Sequence, residues 1–278
     1  MTKQELMQTA NKVRQGIITG VYHAKSGHPG GSLSVAEIVT YLYCEEMRVD
    51  PANPKDPDRD RLVLSKGHVA PALYSMLALK GFFPWEDLKT LRHTDSYLQG
   101  HPDMNLVPGI DMSTGSLGQG VSAAIGMALA GKLDEKDYRV YAICGDGEIQ
   151  EGQIWEAAMF AGYRKLDNLT VIVDNNNLQI DGPVDQVCSP YPIDEKFAAF
   201  HFHVINIDGH DFDQIEAALK EARETKGQPT AIIAKTVKGK GVSYMENQVG
   251  WHGKGPNKEE YEQAMKELKE AEEALCQK

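Results

Sequence analysis

Two short polar segments in this sequence carry side chains that suit a cation site. The segment GDG at 145–147 follows one apolar run, and the segment NNN at 175–177 ends the next. An aspartate between glycines lies on a tight turn where a ligand can approach the backbone closely. A carboxylate and an amide oxygen together suit a hard cation such as magnesium or calcium, although a lone Asp-Gly pair is more often a plain turn. From the residues alone, both a cation site and a plain turn are consistent with the two segments.

Other polar segments also fall at the ends of expected strands. The strand expected at 61–65 leads into SKGH, and the strand expected at 230–236 leads into KTVKGKG. In open α/β sheets, ligands bind beyond the carboxyl ends of the parallel strands. We therefore expect these segments to meet the GDG and NNN segments at one edge of a sheet.

Apolar runs and helical patterns alternate along the chain and must position these residues. Strands are expected near 61–65, 139–144, 169–174, 203–207 and 230–236. Helices are expected at 3–24 and near 70–80, 118–132, 149–162, 211–225 and 257–275. This alternation predicts an α/β fold with a doubly wound, mostly parallel sheet and helices on both faces. Since no linker or repeat divides the chain, we expect one domain over 1–278 with an irregular insertion near 81–113.

A further helix is expected from residue 34 to about Met47. Ser34 and Glu37 have the spacing of a capping box, in which each side chain bonds the backbone N–H of the other residue. Leu33 and Ile38 are placed as the hydrophobic staple that often accompanies such a cap. The Pro- and Asp-rich segment DPANPKDPDRD that follows predicts an irregular loop.

Composition limits the classes of ligand. The 278 residues include 29 basic and 40 acidic side chains, which gives a net charge of −11. This balance disfavours nonspecific binding to nucleic acid or to anionic membranes, so an anionic ligand needs local groups or a metal. The N-terminal residues lack the apolar core of a signal peptide and no run is long enough to span a bilayer, which predicts a cytoplasmic protein. The four cysteines are widely spaced and indicate neither a zinc site nor a disulfide framework.

Six motifs, in order along the chain, resemble the N-terminal, diphosphate-binding half of transketolase. They are SGHPGG at 26–31, LSKGH at 64–68, GHP at 100–102, TGSLGQG at 114–120, GDGEIQEGQIWEA at 145–157 and KTVKGKGVSYMENQVGWHG at 235–253. The resemblance covers about residues 8–256 and includes a GDG…NN pattern similar to the thiamine-diphosphate-binding motif. It implies the N-terminal subunit of a split transketolase, whose pyrimidine-binding and C-terminal domains lie on a separate chain.

The resemblance also implies a cofactor site with thiamine diphosphate and a divalent cation, which is magnesium, calcium or manganese. It assigns the metal to Asp146, Asn176 and the carbonyl of Leu178. The cofactor-binding residues that it implies are His68, Gly115, Ser116, Leu117, Gly145, Asp146, Gly147, Glu148, Asn176 and His252. By position alone, Glu148 is instead a first-turn carboxylate of the helix expected at 149–162.

The catalytic residues that the resemblance implies are the histidines that bind and orient the ketose and the cofactor, here His28, His68, His101 and His252. Imidazole titrates near neutrality and can relay protons. Glu151 and Glu156 match an interface with the pyrimidine-binding domain, with a solvated helix face as the alternative. Other histidines match no such role: we expect a structural role for His23, His93, His201 and His203, and a position at the start of a helix for His210. Three lysines, Lys235, Lys238 and Lys240, are expected either to offset phosphate charge or to face solvent.

The implied activity is transfer of a two-carbon ketol unit from a ketose phosphate to an aldose phosphate. In this family the first proton transfer is started by a glutamate on the pyrimidine-binding domain. We therefore expect the chain alone to hold a cofactor half-site without useful turnover, and the enzyme to be a heterotetramer with two copies of each chain.

Three alternatives remain open from the sequence. A 1-deoxyxylulose-phosphate synthase or the alpha component of a 2-oxoacid dehydrogenase would use the same cofactor in another reaction. A nonenzymatic module that binds a nucleotide or diphosphate would need no partner chain. A nicotinamide dehydrogenase is disfavoured, since no GxGxxG segment follows the first expected strand.

Overall fold

The computed structural model describes residues 1–276, in which a five-stranded parallel sheet lies between two layers of helices. The strands are β1 Arg61–Leu64, β2 Val140–Gly145, β3 Leu169–Asn175, β4 Leu178–Gln179, β5 Gly182–Pro183, β6 His203–Asp208 and β7 Thr230–Lys235. The helices are α1 Lys3–Ala24, α2 Pro29–Ser34, α3 Ala36–Tyr41, α4 Ala70–Lys80, α5 Gln119–Leu133, α6 Gly152–Tyr163, α7 Val184–Val187, α8 Ile193–Ala199, α9 Phe212–Glu224 and α10 Lys258–Cys276. The main sheet has the order β1-β2-β3-β7-β6, and β4 and β5 form a separate antiparallel pair.

The central strands are apolar on both faces, so each strand contributes to two cores. On β2, Tyr141 and Ile143 pack in one core, while Val140 and Ala142 pack in the other. The first core is shared with α1, α3, α4, α9 and α10, and the second with α5, α6 and α8. Burial on both faces is what parallel strands in α/β proteins require. The predicted doubly wound fold is therefore confirmed.

The register of the sheet aligns the carboxyl ends of its strands. Gly145 on β2 lies opposite Asp174 on β3, and Asn175 lies opposite Lys235 on β7. The polar segments that follow these strands therefore begin at the same edge. This edge is where ligands of open α/β sheets bind.

The first helix confirms its prediction at both ends. Thr2 caps α1, since its Oγ1 accepts the Glu5 N–H at 3.2 Å and Glu5 accepts the Thr2 N–H at 2.7 Å. The helix ends at Ala24 before Lys25, which has a left-handed backbone with φ of 50°. Its apolar face packs against α4 and α10 in the first core.

The capping box predicted at Ser34 is wrong. Ser34 ends α2, a short helix that starts at Pro29, and a new helix starts at Ala36 without a side-chain cap. The chain then continues as one π-helical segment, Leu42–Glu46. Glu37 is buried and pairs with Arg14 instead of capping a helix. A carboxylate inside the fold is better stabilised by a guanidinium than by a backbone N–H alone.

The chain between α4 and α5 is largely irregular, as expected, with one 3-10 helix at Trp85–Thr90. It carries Gly115 to the edge of the sheet, next to His101. Among residues 1–276, no helix combines the length and the apolar character needed to cross a membrane.

Candidate active site

The carboxyl edge of the sheet contains a cleft of about 410 Å³. The loops after β1, β2, β3 and β7 form it together with segments near residues 28, 115 and 252. The sequence-predicted site residues that line it are His28, His68, Gly115, Leu117, Gly145, Asp146, Gly147, Glu148, Asn176, Leu178 and His252. Residues from seven distant parts of the chain thus meet in one place, as the strand-end argument predicted.

Asp146 is a buried carboxylate without a cationic partner. It is 2% exposed and accepts the backbone N–H of Gly147 at 2.8 Å and that of Asn177. Among the described residues, no Lys, Arg or His lies within ion-pair distance of it. Burial, assisted by the nearby charge of Asp174, raises the pKa of Asp146 to about 7. A cation from outside the chain would stabilise the ionised form.

Asn176 and Leu178 supply the remaining predicted metal ligands. The Asn176 Nδ2 donates to Asp174 Oδ2 at 3.0 Å, so the Oδ1 points the other way and accepts the Leu178 N–H at 3.1 Å. The Leu178 carbonyl accepts from Lys238 Nζ at 2.9 Å. Carboxylate, amide and carbonyl oxygens are the ligand types that magnesium, calcium and manganese prefer. In the described part of the chain, no group of three or more His, Cys, Asp or Glu side chains could hold a metal.

A buried ion pair lies directly behind these ligands. Lys66 pairs with Asp174, and both side chains are almost fully buried. Asp174 also accepts from the hydroxyls of Ser34 and Thr236. Burial alone would raise the pKa of Asp174, but the charge and hydrogen bond of Lys66, with the two hydroxyls, lower it below the ordinary value. Sequence reasoning assigned no role to Lys66 or Asp174, although both lie at strand ends within the quoted segments.

Of the two alternatives for the lysines at and after the end of β7, exposure to solvent is wrong for Lys238. Lys235 is exposed, whereas Lys238 is 2% exposed and lies in the cleft. Its ammonium donates to the Leu178 carbonyl and to His252 Nδ1 at 2.8 Å. Burial, with the positive charge of Lys66 nearby, lowers the pKa of Lys238 to about 8. Lys238 therefore faces the cleft rather than solvent.

Three of the predicted histidines form a compact cluster. The ring centroids of His28, His68 and His252 are 5.0, 5.3 and 5.5 Å apart. The pKa of His28 is lowered to about 4, that of His252 to about 3, and that of His68 well below its ordinary value. Burial is the main cause in all three. The three imidazoles are therefore neutral at pH 7, and each offers one donor and one acceptor.

The ring nitrogens of His252 and His28 differ in their hydrogen bonds. His252 Nδ1 accepts from Lys238, so the proton of this ring is on Nε2. His28 Nδ1 is buried and has no hydrogen-bond partner among the described residues. A buried polar atom of this kind calls for a ligand atom or a water.

His101 and Ser116 do not line the cleft. His101 packs against Gly115, where an added Cβ would lie 2.8 Å from His101 Cδ2. Gly115 has φ of 146°, which side chains disfavour, so both its backbone and its neighbour require glycine. Ser116 is exposed on the same turn. His101 thus reaches the site through its contact with the Gly115 loop.

Glu148 begins a 3-10 helix, Glu148–Gln150, ahead of α6, and its side chain also joins three loops of the site. The side chain is 3% exposed and accepts from Ser65 Oγ at 2.5 Å, from the Gly118 N–H at 2.9 Å and from the Gly145 N–H at 3.0 Å. Burial raises its pKa despite these bonds. The residue fixes the Gly115–Gly118 loop relative to the GDG turn.

One side of the cleft is open and partly apolar. Leu117 is 38% exposed and Ile180 is 63% exposed, and both lie on the cleft wall. Glu151 also lines the cleft, and Glu156 is exposed on α6. Met159, Phe160 and Tyr163 of the same helix are exposed as well.

These features define an α/β protein of the thiamine-diphosphate-binding type. The model of the transketolase thiamine diphosphate binding domain matches residues 6–273. The chain belongs to this family, and the resemblance read from the motifs is confirmed.

Two relatives that match this chain over nearly their whole length are named as transketolase subunits. The 6-deoxy-6-sulfo-D-fructose transketolase subunit of Clostridium sp. strain MSTE9 is 48% identical over 264 residues, which cover 95% of this chain and 96% of the relative. One of the subunits of the apulose-4-phosphate transketolase of Phocaeicola vulgatus is 43% identical over 275 residues, which cover 99% of this chain and 98% of the relative. The chain therefore belongs to a split transketolase, as one of its subunits.

Full-length transketolases are similar over less than half their length. The rat enzyme is 45% identical over 269 residues, which cover 95% of this chain and 42% of the relative. The crystal structure of transketolase from Campylobacter jejuni superposes with a TM-score of 0.91 and 38% identity, over 97% of this chain and 43% of that one.

Proposed function

We propose that this chain holds thiamine diphosphate through a divalent cation and, with a second subunit, transfers two-carbon ketol units between sugar phosphates. The carrying observation is the buried Asp146 carboxylate, which has no cationic partner among residues 1–276 and lines the same cleft as the histidine cluster. We assign this activity to the pentose phosphate reactions of carbohydrate metabolism and propose a cytoplasmic location.

The residues present fit the cofactor. Asp146, Asn176 and the Leu178 carbonyl would hold the cation, and the cation would hold the diphosphate. Lys238 lies close enough to Leu178 to compensate diphosphate charge. In this structure the backbone N–H of Gly147, one of the cofactor-binding residues that the resemblance implies, donates to Asp146 Oδ1. When bound, the cofactor supplies the electron sink that a moving two-carbon unit needs.

The neutral histidines would act on the sugar. His28 and His68 offer ring nitrogens to hydroxyl and carbonyl oxygens, and His252 offers its Nε2 proton. Because their pKa values are low, these rings donate or accept hydrogen bonds without carrying a charge at pH 7. His101, held against Gly115, would contact the sugar from the other side of the loop.

A second subunit would complete the site. The open wall with Leu117, Ile180 and Glu151 supports this proposal, because apolar side chains at a cleft mouth favour burial by a partner. The names of the relatives as subunits support it further. We propose a heterotetramer with two copies of each chain.

Reconstitution tests the proposal. The purified chain, supplied with thiamine diphosphate and magnesium, should bind the cofactor but show no appreciable ketol transfer from a ketose phosphate. Addition of the partner subunit should give turnover with ketose donors and not with pyruvate. Strong turnover by the chain alone, or a preference for pyruvate, would refute the proposal.

A further inference from the structure

A buried triad of side chains, Arg14, Glu37 and His210, lies next to the loop that carries Lys238. Glu37 on α3 pairs with Arg14 of α1, and its other carboxylate oxygen lies 3.0 Å from His210 Nδ1. Arg14 and Glu37 are each 7% exposed, and none of the three side chains lines the cleft of the candidate active site. No step of the proposed function uses this triad.

The hydrogen bonds of His210 determine which ring nitrogen carries the proton. The backbone N–H of Val237 donates to His210 Nε2 at 2.9 Å. A backbone N–H can only donate, so Nε2 is the acceptor and the ring proton is on Nδ1. That proton is donated to Glu37. His210 thus links the carboxylate of the triad to the backbone directly before Lys238.

The triad holds both ends of the turn that carries Lys238. This turn, Val237–Lys240, is closed by the N–H of its last residue, which donates to the carbonyl of its first residue at 3.2 Å. His210 accepts the N–H of the first residue, and Arg14 Nε donates to the carbonyl of the last residue at 2.9 Å. Glu37 binds both of the side chains that make these contacts. The position of the turn therefore depends on the triad.

Lys238 requires a backbone that is held in place. The residue is 2% exposed, and its ammonium lies 2.9 Å from the Leu178 carbonyl oxygen and 2.8 Å from His252 Nδ1. A buried charge gains free energy by reaching water, and the flexible stem of a lysine lets its ammonium do so. A turn that was free to shift would let Lys238 leave the cleft, whereas a turn fixed at both ends keeps it there.

We propose that Arg14, Glu37 and His210 are positioning residues that hold Lys238 in the cleft through the Val237–Lys240 turn. None of the three would touch the cofactor or the sugar. The inference rests on the proposed function in one respect, since that function gives Lys238 the task of compensating diphosphate charge. It predicts that damage to the triad weakens cofactor binding only while Lys238 is present.

Two variants damage the triad in different ways. Glu37→Gln replaces two acceptor oxygens by one oxygen and one NH₂ group, whereas Arg14 and His210 both donate to this position, so one of the two bonds is lost. His210→Phe removes the bonds of the ring and leaves the ion pair intact, so this variant should fold even if Glu37→Gln lowers stability. Asp111→Asn is the matched control, because Asp111 is a buried carboxylate that pairs with Arg59 and does not line the cleft.

Acylation of lysine amines in the full chain without cofactor, followed by mass spectrometry, reports the position of Lys238. Both triad variants should raise the acylation rate of Lys238 about 3- to 10-fold, as expected when a lost hydrogen bond favours local opening. Lys66 is equally buried and Lys235 is exposed, and both should react at unchanged rates in the same samples. Asp111→Asn should leave all three rates unchanged.

A double-mutant cycle then tests whether the triad acts through Lys238. Calorimetry would measure binding of thiamine diphosphate with magnesium to the full chain. Glu37→Gln and His210→Phe should each weaken binding about 3- to 10-fold when Lys238 is present, and less than about twofold in the Lys238→Met background. A triad that served only the stability of the fold would give the same loss in both backgrounds, because effects of independent sites add.

Two results would overturn the proposal. One is an acylation rate of Lys238 that stays at the wild-type value in both triad variants, or that rises together with the rate of Lys66 as in general loosening of the fold. The other is an equal loss of affinity with and without Lys238. If the wild-type chain does not bind thiamine diphosphate with magnesium, the proposed function fails, while the acylation rates still decide whether the triad positions Lys238.

Discussion

Two buried carboxylates at the same edge of the sheet have opposite surroundings. Asp174, at the end of β3, is compensated by Lys66, Ser34 and Thr236, which together we name the closed cluster. Asp146, beyond the end of β2, forms the open cluster with Lys238, His252 and the Leu178 carbonyl. Among residues 1–276 its carboxylate accepts only backbone N–H groups, and its pKa is raised, whereas the pKa of Asp174 is lowered. The fold compensates the charge of Asp174 itself and, within residues 1–276, supplies no cationic partner for Asp146.

The two buried lysines show the same contrast. Lys66 in the closed cluster has a carboxylate partner, while Lys238 in the open cluster donates to a carbonyl and an imidazole. A paired buried charge is costly to break, and an unpaired one is costly to keep. Substitutions in the closed cluster should therefore affect folding, and substitutions in the open cluster should affect binding.

Lys66→Met should give the largest effect. It leaves Asp174 buried and uncompensated, so the free energy of unfolding should fall by about 3–5 kcal/mol in urea titrations. Lys66→Met combined with Asp174→Asn should recover part of the loss, because no charge then remains unpaired. Lys89→Met, which breaks only an exposed pair with Glu86, should leave the free energy of unfolding nearly unchanged. A similar small loss for Lys66→Met would remove the distinction between the clusters.

Asp146→Ala should abolish cation-dependent cofactor binding without unfolding the chain. Loss of a charged ligand should weaken binding of thiamine diphosphate with magnesium at least about 100-fold, measured by calorimetry. Asp181→Asn is the matched control, because it removes the same negative charge from an exposed residue between β4 and β5. Unchanged binding by Asp146→Ala would show that the cation lies elsewhere.

Lys238→Met should separate binding from stability. Since burial disfavours the ammonium, its removal should leave the unfolding free energy of the free chain unchanged or slightly higher. Affinity for the diphosphate should fall about tenfold, because one charged donor is lost. If Lys238→Met destabilised the chain as much as Lys66→Met, the open cluster would be structural as well.

Glu37→Gln tests a buried carboxylate outside the two clusters, through the pH dependence of its effect on stability. Burial alone would raise the pKa of Glu37, but Arg14 and His210 lower it to about 2, so its charge stabilises the fold above the ordinary value of 4.5. This stabilisation is lost as the pH falls from 4.5 toward 2. The difference in unfolding free energy between wild type and Glu37→Gln should shrink by up to about 1.4 kcal/mol per pH unit below about pH 4.5. A difference that stays constant down to about pH 3 would contradict the assignment.

The sequence predicted the elements better than the partners of their side chains. The strands and the long helices follow from apolar periodicity, which is a local property, and they lie where expected. The capping box at Ser34 failed because Glu37 has long-range partners: Arg14, 23 residues earlier, and His210, 173 residues later. His210 itself lies next to the start of α9, as expected, but its ring joins Glu37 to the Val237 N–H.

The sequence by itself determined the parallel sheet, the family and the segments that meet at the carboxyl edge. The alternation of apolar runs with helical patterns and the spacing of the motifs are properties of the sequence, and they suffice for these three conclusions. Only the tertiary structure decided which charges at that edge are compensated. Lys66 and Lys238 are both lysines beside glycines in polar segments, and nothing local distinguishes them. Their difference arises from neighbours distant in sequence, since burial and opposite charge set the state of an ionisable group and both depend on the folded chain.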